Sequence, residues 1–146
     1  MGRGLSASGD NSTVIGTGMS AFGDSGISLG YNSFAYGDQS FAIGRFARNE
    51  SFGSFVFGQY NIVSGDRFNW VWTDPLFVIG NGTAHTARGN AVTVLKNGNF
   101  GIQTDDPTSR LHIMGVEEYA DNTAAIAAGL TPGAFYRTGD ELKIVH

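Results

Sequence analysis

Glycine recurs every seven residues through the first part of the chain, at Gly2, Gly9, Gly16, Gly23, Gly30, Gly37, Gly44, Gly58 and Gly65, with only Ser51 out of step. A heptad invites a coiled coil, but a glycine in each heptad would cost a helix about 1 kcal/mol every time. The segments "NSTVIG", "NSFAYG", "DQSFAIG" and "GSFVFG" are instead short β-rich runs, each ended by a glycine that can take the φ > 0 of a turn. A second period lies on the first. Gly-Asp stands at residues 9, 23, 37 and 65, while Gly16, Gly30, Gly44 and Gly58 precede Thr17, Tyr31, Arg45 and Gln59. Two heptads therefore make one unit: two short strands and two turns, forming a 14-residue coil of a β-solenoid. At about 4.8 Å per coil, Gly9 to Gly65 would rise only about 20 Å.

This period disposes of a tempting motif. "GDSGISLG" holds both Gly23-Asp24-Ser25-Gly26, the nucleophile segment of chymotrypsin-type proteases, and Gly26-Ile27-Ser28-Leu29-Gly30, a G-x-S-x-G elbow. The first histidine, His85, follows these serines, and no amphipathic helix flanks Ser28. Both matches are one phase of the repeat. "MGRGLS" fits a myristoylation pattern for the same reason.

Within each coil the faces differ. Val14, Ala21, Ser28, Ala35, Ala42 and Val56 are small, and their neighbours Thr13, Ile15, Phe34, Tyr36, Phe41, Ile43, Phe55 and Phe57 are mostly large. Alternation puts the two sets on opposite faces of a strand. A coil this short encloses room only for the small set. The large set must be covered from outside, because a ladder of such residues in water would be a sizeable apolar patch. Burying each gains roughly 1.5–3 kcal/mol. The expected cover is another copy of the chain packed about a rotation axis.

"GDNSTVIGTGMSAFGDSGISLGYNSFAYGDQSFAIG" resembles the head repeats of YadA-like trimeric adhesins over about residues 2–66. The resemblance implies a mainly β fold, a left-handed parallel β-roll with 14-residue coils, assembling as an intertwined homotrimer. "RFARNESFGSFVFGQYN" departs from the pattern, with Arg45, Arg48, Asn49 and Glu50 at small or apolar positions, and is expected to form a loop or widened coil.

From Arg67 the heptad is lost, and short strands divided by Asp74-Pro75, Asn81-Gly82, Asn97-Gly98 and Asp106-Pro107 are expected. "FVIGNG", "AVTVLKNGNFGI" and "PTSRLHI" are similar to a segment of phage tail-fibre and bacterial fibre proteins, although Gln103 stands where that segment has glycine. "VEEYADNTAAIAAGL" reads as a helix closed by Gly129, and "GAFYRTGDELKIVH" as a hairpin turning near residues 138–141. The helix is too short to stand alone, so packing about the threefold axis is expected. "YRTGDELKIVH" resembles the C-terminal tip of phage virion proteins. The domain organisation read from this is 1–66 β-roll head repeats, 67–113 β-rich fibre segment, and 114–146 helix plus hairpin tip.

Twenty-two glycines in 146 residues exceed the usual share of roughly 7%, yet eleven Phe, five Tyr and two Trp speak against disorder. The nine Lys and Arg are scattered, so no nucleic-acid partner is expected, and no apolar run suggests membrane insertion. The absence of cysteine removes disulfides and thiolate metal sites. Asp10, Asp24, Asp38 and Asp66 would stack on one edge, where solvated turn chemistry is preferred to Ca²⁺ because the nonapeptide calcium pattern is missing. His85, His112 and His146 are single histidines, for which a hydrogen-bonded or exposed role is preferred to an axial metal. Trp70 and Trp72 are read as sharing a strand face, either packing at a segment junction or facing a receptor. No catalytic, cofactor or metal residue is assigned.

The function expected is a non-catalytic structural or attachment fibre of a phage or phage-like contractile particle. It would lie on the virion or extracellular particle surface, with other particle components and a host surface glycan or protein as partners. A bacterial adhesin head fragment is the alternative. The sequence to His146 shows no C-terminal barrel anchor, which weighs towards the phage reading. A glycan-cleaving fibre is the third reading, disfavoured because Asp105-Asp106 and Glu117-Glu118 are adjacent and cannot flank a bond.

Overall fold

The computed structural model describes residues 2–62 and 64–146, in two compact units, one running through His112 and the other spanning Ile113–His146. In the first unit four coils each join a two-residue strand to a five-residue one. They are β1 (Ser6–Ala7) with β2 (Thr13–Thr17), β3 (Ser20–Ala21) with β4 (Ile27–Tyr31), β5 (Phe34–Ala35) with β6 (Phe41–Arg45), and β7 (Arg48–Asn49) with β8 (Phe55–Gln59). Within these coils each strand pairs in parallel with its equivalent in the neighbouring coil, so Val14, Ser28, Ala42 and Val56 stand in one row. The chain is a β-solenoid with coils of the expected length.

Its interior is as narrow as the repeat implies. Ala21, Ala35, Ala42 and Ser28 are fully buried between the two sheets, joined by Ala47, Val56 and Val78. The serines belong there because backbone acceptors lie within reach: Ser28 Oγ donates to the Ser33 carbonyl at 2.9 Å, and Ser33 Oγ to that of Gly44 at 3.0 Å.

Gly16, Gly30, Gly44, Gly58 and Gly65 take the expected positive φ, between 105° and 143°, and a second cause acts along the heptad row. The left-handed turn residues stand two positions later, at Gly4, Asn11, Gly18, Ser25, Asn32, Gln39, Phe46, Gly53 and Tyr60, with φ between 44° and 66°. The N–H of such a residue donates to the previous coil, as Gln39 does to Asp24 at 2.7 Å, so the ladder runs on through the corners. The heptad glycines also face the next coil's backbone: a Cβ at Gly23 would lie 2.1 Å from the Gly37 carbonyl oxygen. Ser51 escapes because Gly65, without a side chain, lies against its Cβ, and its hydroxyl donates to the Pro75 carbonyl at 2.7 Å.

The loop or widened coil expected at "RFARNE" does not form. β7 keeps register with β5, pairing Phe34 with Arg48 and Ala35 with Asn49. Asn49 fits the core because its amide donates to the carbonyls of Phe41 and Ser54 and its oxygen accepts from Ser51 N and Ser54 Oγ.

The long-strand sheet continues beyond the heptad. β9 (Pro75–Asn81) adds in parallel to β8, aligning Phe55 with Phe77 and Gly58 with Gly80. Then β10 (Asn90–Leu95), β11 (Phe100–Ile102) and β12 (Leu111–Ile113) follow as neighbours in the sheet, β10 antiparallel to both β9 and β11. Gly98, at φ 85°, makes the β10–β11 turn at the expected Asn-Gly. The short-strand sheet ends at β7, where a side chain replaces a further strand: Asn61 accepts from Arg48 N at 2.9 Å and donates to Arg48 O at 2.8 Å.

In the second unit the helix α1 spans only Asn122–Ala127. Asp121 caps it, accepting from Ala124 N at 2.8 Å, so the helix starts later than the expected Val116. Residues before the cap pair with β13 (Phe135–Thr138) instead, Tyr119 N donating to Arg137 O and Arg137 N to Glu117 O. Gly129 ends the helix at φ 101° as expected. β13 turns at Gly139-Asp140 into β14 (Glu141–Ile144), with glycine at the first central position as a II′ turn requires. Ala125 of the helix packs on Tyr136 and Val145 of the same unit.

Candidate functional site

The outward side chains of the long-strand sheet form two apolar columns. One runs through Thr13, Ile27, Phe41, Phe55 and Phe77, the other through Ile15, Leu29, Ile43, Phe57 and Ile79. The antiparallel strands prolong both, with Val94 opposite Phe77 and Val92 opposite Ile79, then Phe100 and Ile102. Phe41, Phe55 and Phe77 stack with centroids 5.3 and 5.9 Å apart. None of these side chains is buried, and Ile15 and Phe57 are 64% and 51% exposed. Seven strands at about 4.8 Å make this face about 29 Å long.

Of the four aspartates expected in a column, three stack. Asp24 accepts from Asp10 N at 2.8 Å, and Asp38 from Asp24 N at 2.9 Å, so these carboxylates extend the inter-coil ladder. Asp66 leaves the column because the chain detours after Tyr60: its carboxylate accepts from the N–H groups of Phe68 and Asn69, both at 2.8 Å. Those bonds hold the Asp66 carboxyl below its ordinary value.

Each histidine has its own setting. His112 Nδ1 accepts from Thr108 N at 3.4 Å, His146 pairs through its backbone with Asn122, and His85 lies against Phe46 and Tyr60. Among the described residues no group of three or more His, Asp or Glu could hold a metal ion. Ser25 is an exposed left-handed turn residue and Ser28 is buried with its hydroxyl on a backbone carbonyl, as the repeat reading of "GDSGISLG" requires.

Trp70 and Trp72 stand on a loop between Gly65 and Pro75 instead of the expected strand, because the Asp66 turn and the bond from Asn97 N to Trp72 O shape the segment. They meet edge to face at 6.0 Å and are 46% and 65% exposed, with Phe68 and Val71 exposed beside them. Nothing in the residue pattern marked what lies beneath. The Lys96 ammonium sits 4.9 Å from the Trp70 ring centroid and 6.0 Å from that of Phe52, buried, with no hydrogen-bond partner among the described residues. Burial lowers its pKa from the ordinary lysine value, and the carboxylates of Asp74 and Asp66 offset part of that.

A second cluster went unseen in the sequence. At the ends of β6 and β8 the rings of Phe46 and Tyr60 stack at 4.8 Å, and the Arg45 guanidinium lies 5.1 and 5.3 Å from their centroids. His85 meets both rings edge-on, Tyr31 meets Phe46 likewise, and Arg88 donates to the carbonyls of Phe46 and Asn61. Burial first, and the like charge of Arg48 second, lower the Arg88 pKa from its ordinary value. The clue was present: Arg45 and Phe46 belong to the stretch that departs from the repeat.

With this geometry in place, residues 6–18 and 21–47 match the YadA head domain repeat, in two copies. No curated protein and no solved structure matches the chain. The matched residues lie in the first three coils of the solenoid.

Proposed function

We propose that the chain is the head of a homotrimeric, surface-displayed fibre that serves attachment and performs no catalysis. The observation that carries this is the uninterrupted apolar face of β2 to β11. It is too long and too apolar to stand in water, and it runs along the stacking direction, where copies side by side about an axis would cover it throughout its length. The head-repeat match supports the same reading. Trp70 and Trp72, exposed on their loop, are the proposed receptor-facing aromatics.

Two displays fit this head. The tip phrase "YRTGDELKIVH" supports a phage or phage-like contractile particle, where other particle components would be partners and a host glycan or protein the receptor. The head-repeat match supports a bacterial surface adhesin equally well. Light scattering during size-exclusion chromatography tests the assembly: a mass near three times 15.5 kDa is expected, and a folded monomer would overturn it. Immunogold labelling of purified particles and of intact cells then separates the two displays.

A further inference from the structure

We propose that the ends of β6 and β8 form a binding site for an acidic saccharide, a sugar bearing a carboxylate or a sulfate, on the Arg45, Phe46 and Tyr60 cluster. This goes beyond the fibre reading and does not depend on the number of subunits.

The first argument is conformational. One corner of the solenoid uses a left-handed residue in every coil, and the chain places Gly4, Gly18 and Asn32 there before Phe46 at φ 54° and Tyr60 at φ 44°. Glycine and asparagine suit this region, whereas a bulky aromatic in it is strained. The solenoid does not need that strain, since three earlier corners turn without it. Strained residues persist where their surroundings over-determine them, and they gather at binding sites. Here the strain stacks the half-buried Phe46 ring on that of Tyr60, itself only 5% exposed, and Arg88 braces the pair through the carbonyls of Phe46 and Asn61 at 3.4 and 2.9 Å.

The second argument is electrostatic. Arg45 is exposed, and held over the rings it keeps its N–H donors free for an outside acceptor. The ion pairs among the described residues are Arg67–Glu50, Arg137–Glu118 and Lys143–Glu141, so Arg45, Arg48 and Arg88 gather without a carboxylate. A guanidinium fork binds a carboxylate or sulfate through two parallel hydrogen bonds. Tyr31, 47% exposed beside the platform, offers an aromatic surface for the apolar side of a sugar ring. A polyanion such as a nucleic acid would need a track of cations, whereas these form one compact cluster on a chain of net charge −4.

The test is calorimetric titration of the full chain, in the oligomeric state it adopts, with sialyllactose, a sulfated disaccharide, neutral lactose and a short oligo-dT. The acidic sugars should bind at least about tenfold more tightly than lactose, more weakly as salt is raised. Arg45→Gln should weaken that binding about tenfold or more. Phe46→Gly should weaken it too while keeping the fold by circular dichroism, since glycine relieves the turn. The proposal fails if neither acidic sugar outbinds lactose, if oligo-dT binds more tightly than both, or if neither variant changes the affinity. It also fails if Arg45→Gln lowers the mass by light scattering, for the fork would then belong to a carboxylate of a neighbouring copy.

Discussion

A methyl group on Gly44 would lie 1.8 Å from the carbonyl oxygen of Gly58, whereas one on Gly53 would meet only the Trp70 ring, at 3.9 Å. Gly44→Ala must separate two coils, and at φ 136° it strains its own backbone as well. It should cost at least about 3 kcal/mol. Gly53→Ala should cost only the left-handed penalty at φ 59°, about 1–2 kcal/mol. Urea melts at one fixed chain concentration compare the two. The heptad and the positive φ at Gly16, Gly44 and Gly58 were plain in the sequence; the collision between coils was not, because it is a property of stacking and not of any single turn. The buried serines make a second pair. Ser54 Oγ donates to Asn49 at 2.8 Å, while Ser40, one coil earlier and facing Ala35 in place of Asn49, leaves its hydroxyl unpartnered. Ser54→Ala should therefore cost about 1–3 kcal/mol, and Ser40→Ala should be neutral or stabilising by up to about 1 kcal/mol. The same melts decide it.

At the scale of elements, Asn61 ends the short-strand sheet with a side chain. Replacing it by alanine leaves both backbone groups of Arg48 unpaired at an opened edge. Asn61→Ala should cost about 2 kcal/mol or more. It should also speed hydrogen exchange at Arg48 before that at Ala42, which checks that the edge opens first. The tryptophan loop answers to pH. The folded Asp66 carboxyl titrates below 3.8, so the stability it confers is complete above the unfolded value and is lost as pH falls through the lower folded one. Tryptophan fluorescence should therefore change progressively on acidification, and Asp66→Asn should remove that acid step. The repeating strands, the Asn97-Gly98 turn and the C-terminal hairpin were legible because each rests on local residues. The continuation through β9 was not, since its register with β8 spans the long detour through the tryptophan loop. Helix α1 came out short because Asp121, inside an alanine-rich stretch, acts as a cap. Arg45 and its aromatic platform were hidden because the departure from the repeat looked like a break in a coil that is in fact kept.

At the scale of the whole molecule the proposed assembly rests on the apolar columns. The small-and-large alternation exposed them in the repeats, but not their extension over Val92, Val94, Phe100 and Ile102, which depends on antiparallel registers with a shift between Asn90 and Val92. Phe57 is the informative position. It is 51% exposed in the single chain, on the outward side of β8, so Phe57→Lys should cost the isolated chain no more than about 1 kcal/mol. In an assembly that buries this face each copy would bring an unpaired ammonium into an apolar interface, at several kcal/mol apiece. Phe57→Lys should therefore lower the light-scattering mass towards one chain while circular dichroism keeps its β signature. Thr86→Lys, on the exposed loop between β9 and β10, adds the same charge elsewhere and should leave the mass unchanged. If Phe57→Lys keeps the mass of three chains, the copies meet on another surface, and the exposed columns must then serve a different partner.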